Sequence, residues 1–547
     1  MRKGSAWGSS QKTAGTWRRA ALFLALLPLL VAHATNSQGQ EKPKTLRVVT
    51  RLVNVNVVVL DAQGHSVKGL GKEDFAISDE GRPQQVDFFS SVENAQAASH
   101  AAADPDTYTN NLEASGATPS VTILLFDALN SWWTSQGYAL HRIRKFLRQI
   151  EREDHIGVYV LSDGLHVVHP FTRDSSELVA AIHRYDEKHS HRSPEAEEEG
   201  EGSTGDPTLD RFLTGKDLGR RFSVHANGPP LTVTTRALEA ICRQLAKAPG
   251  RKTLIWVTDS IAGVGQFLGR NLSEMERLWR ELPENQKGPS TEQLIRMMND
   301  ANICVYLVDS EGLGMTFGRW PIQGAMRELT SRTGGRAFIN RNDLETGIRR
   351  AVEDSRYTYS MAFAPDHNLW NGEWRKLEVK VNQPGARVLS RAGYFALPEA
   401  TPLPEKRRLN LFREIAASPV DATALPLSVH LAAVRTGDGT RLDARIRMDV
   451  LPMLTLREDG HWSGTFELML IQAAGDQIVG ATPRGVHADL KPAQYATIAE
   501  KGWDLPMQLK LLAGARELCV ILHDENTDAV GSVHIPLARY NQGAPAQ

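Results

Sequence analysis

Three aspartates, Asp127, Asp259 and Asp309, each close an apolar run, in the stretches LLFD, WVTD and YLVD. Hydroxyl side chains stand near them in sequence or spacing: Ser131, Thr232, Thr234, Thr235, Thr258 and Ser260. Carboxylates with hydroxyls, and no clustered histidine or cysteine, make the donor set of a hard cation such as Mg²⁺. The same residue types also have a plain structural use, because a carboxylate at a strand end caps the helix that follows. The motifs of nucleophilic, zinc-dependent, nucleotide and redox chemistry (Gly-x-Ser-x-Gly, His-Glu-x-x-His, Walker A, Cys-x-x-Cys) are absent from the chain. No dinucleotide fingerprint follows Asp127 either, since Ala-Leu-Asn stands where a glycine-rich turn is needed. The pattern points to binding and not to an enzyme.

The elements around these aspartates must bring them together. Val121–Phe126, Ile156–Leu161, Leu254–Val257, Ile303–Val308, Ala337–Ile339 and Tyr357–Phe363 read as buried strands. Between them lie helical patterns, with Ala139, Ile143, Phe146, Leu147 and Ile150 on one face of the first and Leu238, Ile241 and Leu245 on another. Leu165–His169 reads as a hairpin continuation of its neighbour, Asp174 as an N-cap, and Gly334-Gly335 as a helix stop. Strands alternating with helices predict an α/β fold with a doubly wound, mostly parallel, Rossmann-like sheet. In such a sheet the strand ends share one edge, so Asp127, Asp259 and Asp309 can converge despite their separation in sequence.

At 547 residues the chain has room for roughly three to four domains. Residues 1–34 have the layout of a signal peptide: basic residues, the 13-residue apolar run Ala20–Ala32, then Ala32-His33-Ala34. That run falls short of the ~20 residues a bilayer-spanning helix needs. A small β unit is expected at 45–92, a linker at 93–118 and the α/β domain at 119–397. This domain holds an acidic, histidine-bearing insertion at 186–230 and a β appendage at 370–397. A second linker at 398–410 precedes an antiparallel β-sandwich at 411–540, read from strands recurring at short spacing.

Lys+Arg 63 nearly cancels Asp+Glu 64, so no global field recruits nucleic acid. Three cysteines, all among apolar neighbours, read as buried thiols and not as a disulfide framework.

The stretches LLFDALNS (Leu124–Ser131), TVTTRAL (Thr232–Leu238) and LIWVTDS (Leu254–Ser260) resemble a von Willebrand factor A (VWA) domain. With KGLGKEDFAISDEGRPQQVDFFS (Lys68–Ser90) and RAGYFA (Arg391–Ala396), the chain is similar in particular to the VWA-related family of exported bacterial proteins. The resemblance implies a metal-ion-dependent adhesion site of the Asp-x-Ser-x-Ser type, with Asp127, Ser131, Thr232 and Asp259 as ligands of Mg²⁺, or of Mn²⁺ or Ca²⁺. Leu129 stands where the pattern has its first serine, which removes one oxygen ligand. The resemblance gives Asp309 no metal role.

The expected function is an exported protein-binding or adhesion module, periplasmic, surface-bound or secreted. A protein partner is expected at the metal-site edge, with no nucleic acid and no transmembrane segment in the mature chain. The alternative is a metal-free structural or assembly scaffold, and a metal-assisted hydrolase is the weaker third reading. Trp132 and Trp133 read either as a recognition patch beside the site or as packing residues.

Overall fold

The computed structural model describes residues 51–93, 104, 106–111, 121–131, 133–150, 155–190, 230–248, 251–261, 291–312, 320–367, 369–398, 403–437, 439–475 and 477–541. The signal-like segment, the insertion beyond Ser190 and Trp132 lie outside them, as does the side chain of Trp133.

The chain opens with strands β1 (Val53–Leu60), β2 (Phe75–Asp79), β3 (Arg82–Gln84) and β4 (Phe88–Glu93), then the short β5 (Thr107–Thr109). The α/β part follows as β6 (Val121–Asp127), α1 (Trp133–Leu147), β7 (Ile156–Leu161), β8 (Leu165–Thr172) and α2 (Ser175–Ser190). It continues with α3 (Pro230–Leu245), β9 (Lys252–Thr258), α4 (Thr291–Asp300), β10 (Ile303–Asp309), α5 (Trp320–Thr333), β11 (Ala337–Phe338) and α6 (Leu344–Arg356).

Six of these strands form one sheet in the order β11-β10-β9-β6-β7-β8. Every pairing is parallel except β7 with β8, the hairpin expected from sequence. The chain enters at β6, winds outward through β7 and β8, then restarts at β9 on the other side of β6. The point between β6 and β9 is therefore the topological switch, where open α/β sheets bind ligands beyond the strands' carboxyl ends.

All seven residues of β6, β9 and β10 are buried because helices cover both faces. Ile123, Leu125, Leu254 and Trp256 pack with Leu238 and Ile241 of α3, Met298 of α4 and Met326 of α5. Leu124, Phe126, Ile255 and Val257 pack with Ile143 of α1, Ile182 of α2 and Ile348 of α6. The period-2 alternation of the strands thus feeds two separate cores. Asp174 caps α2 through its side chain to the Ser176 amide at 2.8 Å. Gly334, at φ +82°, ends α5, and the next amide, of Gly335, turns back to the Thr330 carbonyl at 2.8 Å.

Strand β12 (Tyr357–Phe363) departs from expectation. It pairs antiparallel with β1 and β4, outside the parallel sheet. The reason is local: α6 runs into β12 with Tyr357 as its C-cap, leaving no loop of the usual two to six residues for a return into the parallel sheet. With β13 (Trp374–Val381), β14 (Arg387–Leu389) and β15 (Gly393–Phe395), the N-terminal strands make two antiparallel sheets, β14-β1-β12-β4 and β15-β13-β2-β3. Val55, Val57, Ile77, Tyr359, Phe363 and Leu377 fill the space between them.

The last part holds α7 (Glu405–Ala416), β16 (Leu427–Thr436), β17 (Gly439–Met448), β18 (Thr455–Leu456), β19 (Trp462–Ala474) and β20 (Gln477–Leu490). It ends with α8 (Pro492–Lys501), β21 (Trp503–Lys510), β22 (Glu517–Asp524), β23 (Val530–Pro536) and α9 (Ala538–Asn541). Its sheets are β21-β17-β16-β5 and β18-β19-β22-β23, with β20 on β19, around Val429, Ile446, Phe466, Leu470 and Val520. The segment expected as a linker at 93–118 therefore contributes a strand, β5, whose register sets Thr109 against Ser428. Asn110 fixes it there, donating to the Ala422 and Leu425 carbonyls at 2.6 and 2.9 Å and accepting from the Leu427 amide at 2.8 Å. Three residues are too few to show a strand period, so composition alone read as a linker.

The same region is joined to the α/β part. Val420 packs into the α3-side core, and Thr423 Oγ1 meets the C-terminus of α3, 2.8 Å from the Gln244 carbonyl and 3.1 Å from the Lys247 amide. Among the described residues no helix is long and apolar enough to cross a membrane. Cys242, Cys304 and Cys519 are buried, free thiols.

Candidate functional site

At the end of β6 the chain turns on its own side chains. The Asn130 amide donates to Asp127 Oδ1 at 2.9 Å, and Asn130 Nδ2 reaches Oδ1 at 3.1 Å and Oδ2 at 2.9 Å. The Leu129 amide donates to the Leu161 carbonyl of β7 at 2.9 Å, while the Leu129 side chain packs against the α3-side core. Gln136 Nε2 ties the turn to α1 through the Ala128 and Ser131 carbonyls.

From the neighbouring strand β9, Trp256 Nε1 donates to Asp127 Oδ2 at 2.9 Å, and Thr258 Oγ1 lies 3.1 Å from the same oxygen. Trp256 and Thr258 are two residues apart on one strand, so their side chains share a face. Ser131 Oγ accepts from the Asp259 amide at 3.3 Å, and Ser310 Oγ donates to Asp259 Oδ1. Asp127, Ser131 and Asp259 are thus brought together, all of them buried.

Thr232 is not part of the hydrogen-bonded set around Asp127. It is buried, and its carbonyl accepts from Thr235 Oγ1 at 3.1 Å. The hydroxyl that meets the set is that of Thr234, 2.9 Å from Asn130 Nδ2. Residues two apart on a helix point about 200° apart, so Thr232 and Thr234 cannot both face the strand ends. Asp309 accepts from the Glu311 amide at 3.2 Å, as a turn residue does.

Asp127 is fully buried, and burial pushes its carboxyl up to about 6 against the opposing bonds from Asn130, Trp256 and Thr258. Its two oxygens offer about four lone-pair positions. Amide, carboxamide and indole donors already aim hydrogens at them, and the Thr258 hydroxyl, which also meets the Ser260 carbonyl at 2.6 Å, stands 3.1 Å from Oδ2. A cation would need those same lone pairs, at the 2.0–2.6 Å of Mg²⁺ or Ca²⁺ coordination. The donor set around Asp127 does not fit one.

Sequence reasoning passed over Trp256 and Ser310, counted Thr234 only among the nearby hydroxyls, and gave Asn130 no role. Trp256 was legible in principle, since period 2 places it on the face of Thr258. Asn130 lies inside the motif itself, at a position the adhesion pattern leaves open.

A second polar cluster lies in the C-terminal part, where Cys519 and His534 face each other across β22 and β23 and His534 Nδ1 meets Asp421 Oδ1 at 2.6 Å. Its order resembles a thiol, base and carboxylate relay. Burial, however, pushes the Cys519 thiol up, whereas a nucleophilic thiol needs its thiolate favoured, and Cys519 packs among Leu411, Phe412 and Met469. Among the described residues no group of three or more His, Cys, Asp or Glu side chains is placed to hold a metal ion.

No family model matches the chain, and no curated protein matches it. Among solved structures, it is similar to BatB, a conserved hypothetical protein from Bacteroides thetaiotaomicron, at 12% identity over 43% of this chain and 98% of the other, with TM-score 0.24. An aerotolerance-related membrane protein from Bacteroides fragilis gives 12% identity over 43% and 98%, with TM-score 0.22. A von Willebrand factor type A protein from Catenulispora acidiphila gives 10% identity over 83% of this chain and 74% of the other, with TM-score 0.25. The LLFDALNS, TVTTRAL and LIWVTDS stretches, which resemble a VWA domain, lie around the switch point of the doubly wound sheet.

Proposed function

We propose that the protein is a non-catalytic, exported binding module that meets a protein partner at the carboxyl edge of its central sheet. The observation that carries this reading is the convergence of Asp127, Ser131, Thr234 and Asp259 at the switch point, with no accessible nucleophile and base beside them among the described residues. Around that buried set the rim is exposed and mixed in charge, with Asp163 on the β7–β8 turn, His166 at the start of β8, and Arg341 and Asn342 after β11. Such a rim suits a polar protein contact over a small-molecule pocket. The basic, apolar and small-residue layout of residues 1–34 supports export.

A static assembly contact is the second reading, and it is favoured by the Leu129 side chain being turned into the core. A photo-crosslinking residue at Asp163, Arg341 or, as a control, Arg445 tests the proposal in the native envelope fraction, with and without EDTA. The same partner captured from positions 163 and 341, and not from 445, supports it. Capture that is absent or equal at all three positions rejects it, and loss of capture in EDTA restores the cation-dependent version.

A further inference from the structure

We infer that the Asn130 carboxamide stands in the place a divalent cation would take between Asp127 and Thr234, locking this edge in a cation-free form. Nδ2 lies 3.1 and 2.9 Å from the two oxygens of Asp127 and 2.9 Å from Thr234 Oγ1. One atom therefore links the end of β6 to the N-terminal part of α3 through three oxygens, which is the work of a bridging ion. The amide has two hydrogens, one shared by the carboxylate and one for the threonine, so its capacity is used in full. Its orientation follows from its partners: the carbonyl oxygen in that place would face a carboxylate.

Three neighbours complete the lock. Trp256 Nε1 donates to Asp127 Oδ2, Thr258 Oγ1 crowds the same oxygen at 3.1 Å, and the side chain at the position of the motif's first serine, Leu129, is turned into the apolar core. An amide supplies dipoles where an ion would supply charge. The inference concerns this chain's own residues and does not depend on any partner.

The test uses the mature protein, Mn²⁺ titration followed by electron paramagnetic resonance, and thermal unfolding with Mn²⁺ or EDTA. The wild type is expected to show no saturable uptake and the same Tm in both. Asn130→Ser combined with Trp256→Phe frees lone pairs on both oxygens of Asp127. This variant is expected to lose about 5 °C in EDTA, to take up one Mn²⁺ per chain with recovery of Tm, and to lose that uptake on adding Asp127→Asn. Stoichiometric wild-type binding that Asp127→Asn abolishes overturns the inference, as does a folded double variant that takes up no Mn²⁺. Should the double variant fail to fold, the wild-type titration decides alone. No partner enters the assay, so its failure is separate from failure of the binding role.

Discussion

The indole of Trp256 hydrogen bonds to Asp127 across two parallel strands, 2.9 Å from Nε1 to Oδ2, with both residues buried. A tryptophan in this place supplies apolar volume to the core and a donor to the only carboxylate that ends β6. Trp256→Phe keeps most of the first and removes the second. It is expected to cost about 2 kcal/mol, the worth of a hydrogen bond to a charged buried group. Denaturant unfolding at pH 7 measures it, and a loss that shrinks at pH 5, where Asp127 takes up a proton, separates the donor's role from packing.

Asp127 sets a pH dependence of definite sign. Its carboxyl stands at about 6 in the folded protein, above its ordinary value of 3.8, so the folded state holds the proton more tightly. The charged form therefore costs stability above pH 6, and that cost is relieved as pH falls from 6 toward 4. Relative to Asp127→Asn, which has no such proton, the wild type is expected to gain about 1 kcal/mol between pH 7 and pH 5. A constant difference across that range would show that the carboxyl titrates normally.

Thr423 carries a joint between two parts of the molecule. Its hydroxyl serves the last turn of α3, and its amide donates to the Arg243 carbonyl at 3.0 Å. Thr423→Val keeps the shape and removes the hydroxyl, at an expected cost of about 1–2 kcal/mol. Hydrogen exchange is expected to rise at Arg243–Ala248 and to stay unchanged at β6 and β10.

Asn110 holds β5 to the C-terminal sheet with three buried hydrogen bonds. Asn110→Ala removes these partners from the Leu425 carbonyl and the Leu427 amide, while the Ala422 carbonyl keeps the Ser532 amide at 2.9 Å, an expected cost of about 2 kcal/mol. Limited proteolysis should then cut within residues 104–111, which the wild type resists.

Much of this architecture is legible from sequence, for reasons that differ by residue. The strands β6, β9 and β10 are apolar throughout because both faces are covered, so their pattern survives without knowledge of neighbours. The convergence of Asp127 and Asp259 follows from parallel topology alone. By contrast, β12 has the composition of a parallel core strand, and only the missing loop after α6 sends it elsewhere. At the site, motif spacing favours Thr232, whereas helical phase brings Thr234 to Asn130. The role of Asn130 was invisible because its partners come from β6 and α3, more than a hundred residues apart, and a motif read along one strand cannot show what fills the space between elements.

Among the described strands, β1 is laddered by β12 and β14, with Val53 against Phe363 and Leu60 against Arg387, while β5 waits for β16. During synthesis the first strands therefore leave the ribosome with unpaired edges and stay so until most of the chain has been made. No N-terminal unit can close early, and contacts of this sequence separation make folding slow. The same open edges are places where strand-to-strand aggregation can begin before final closure.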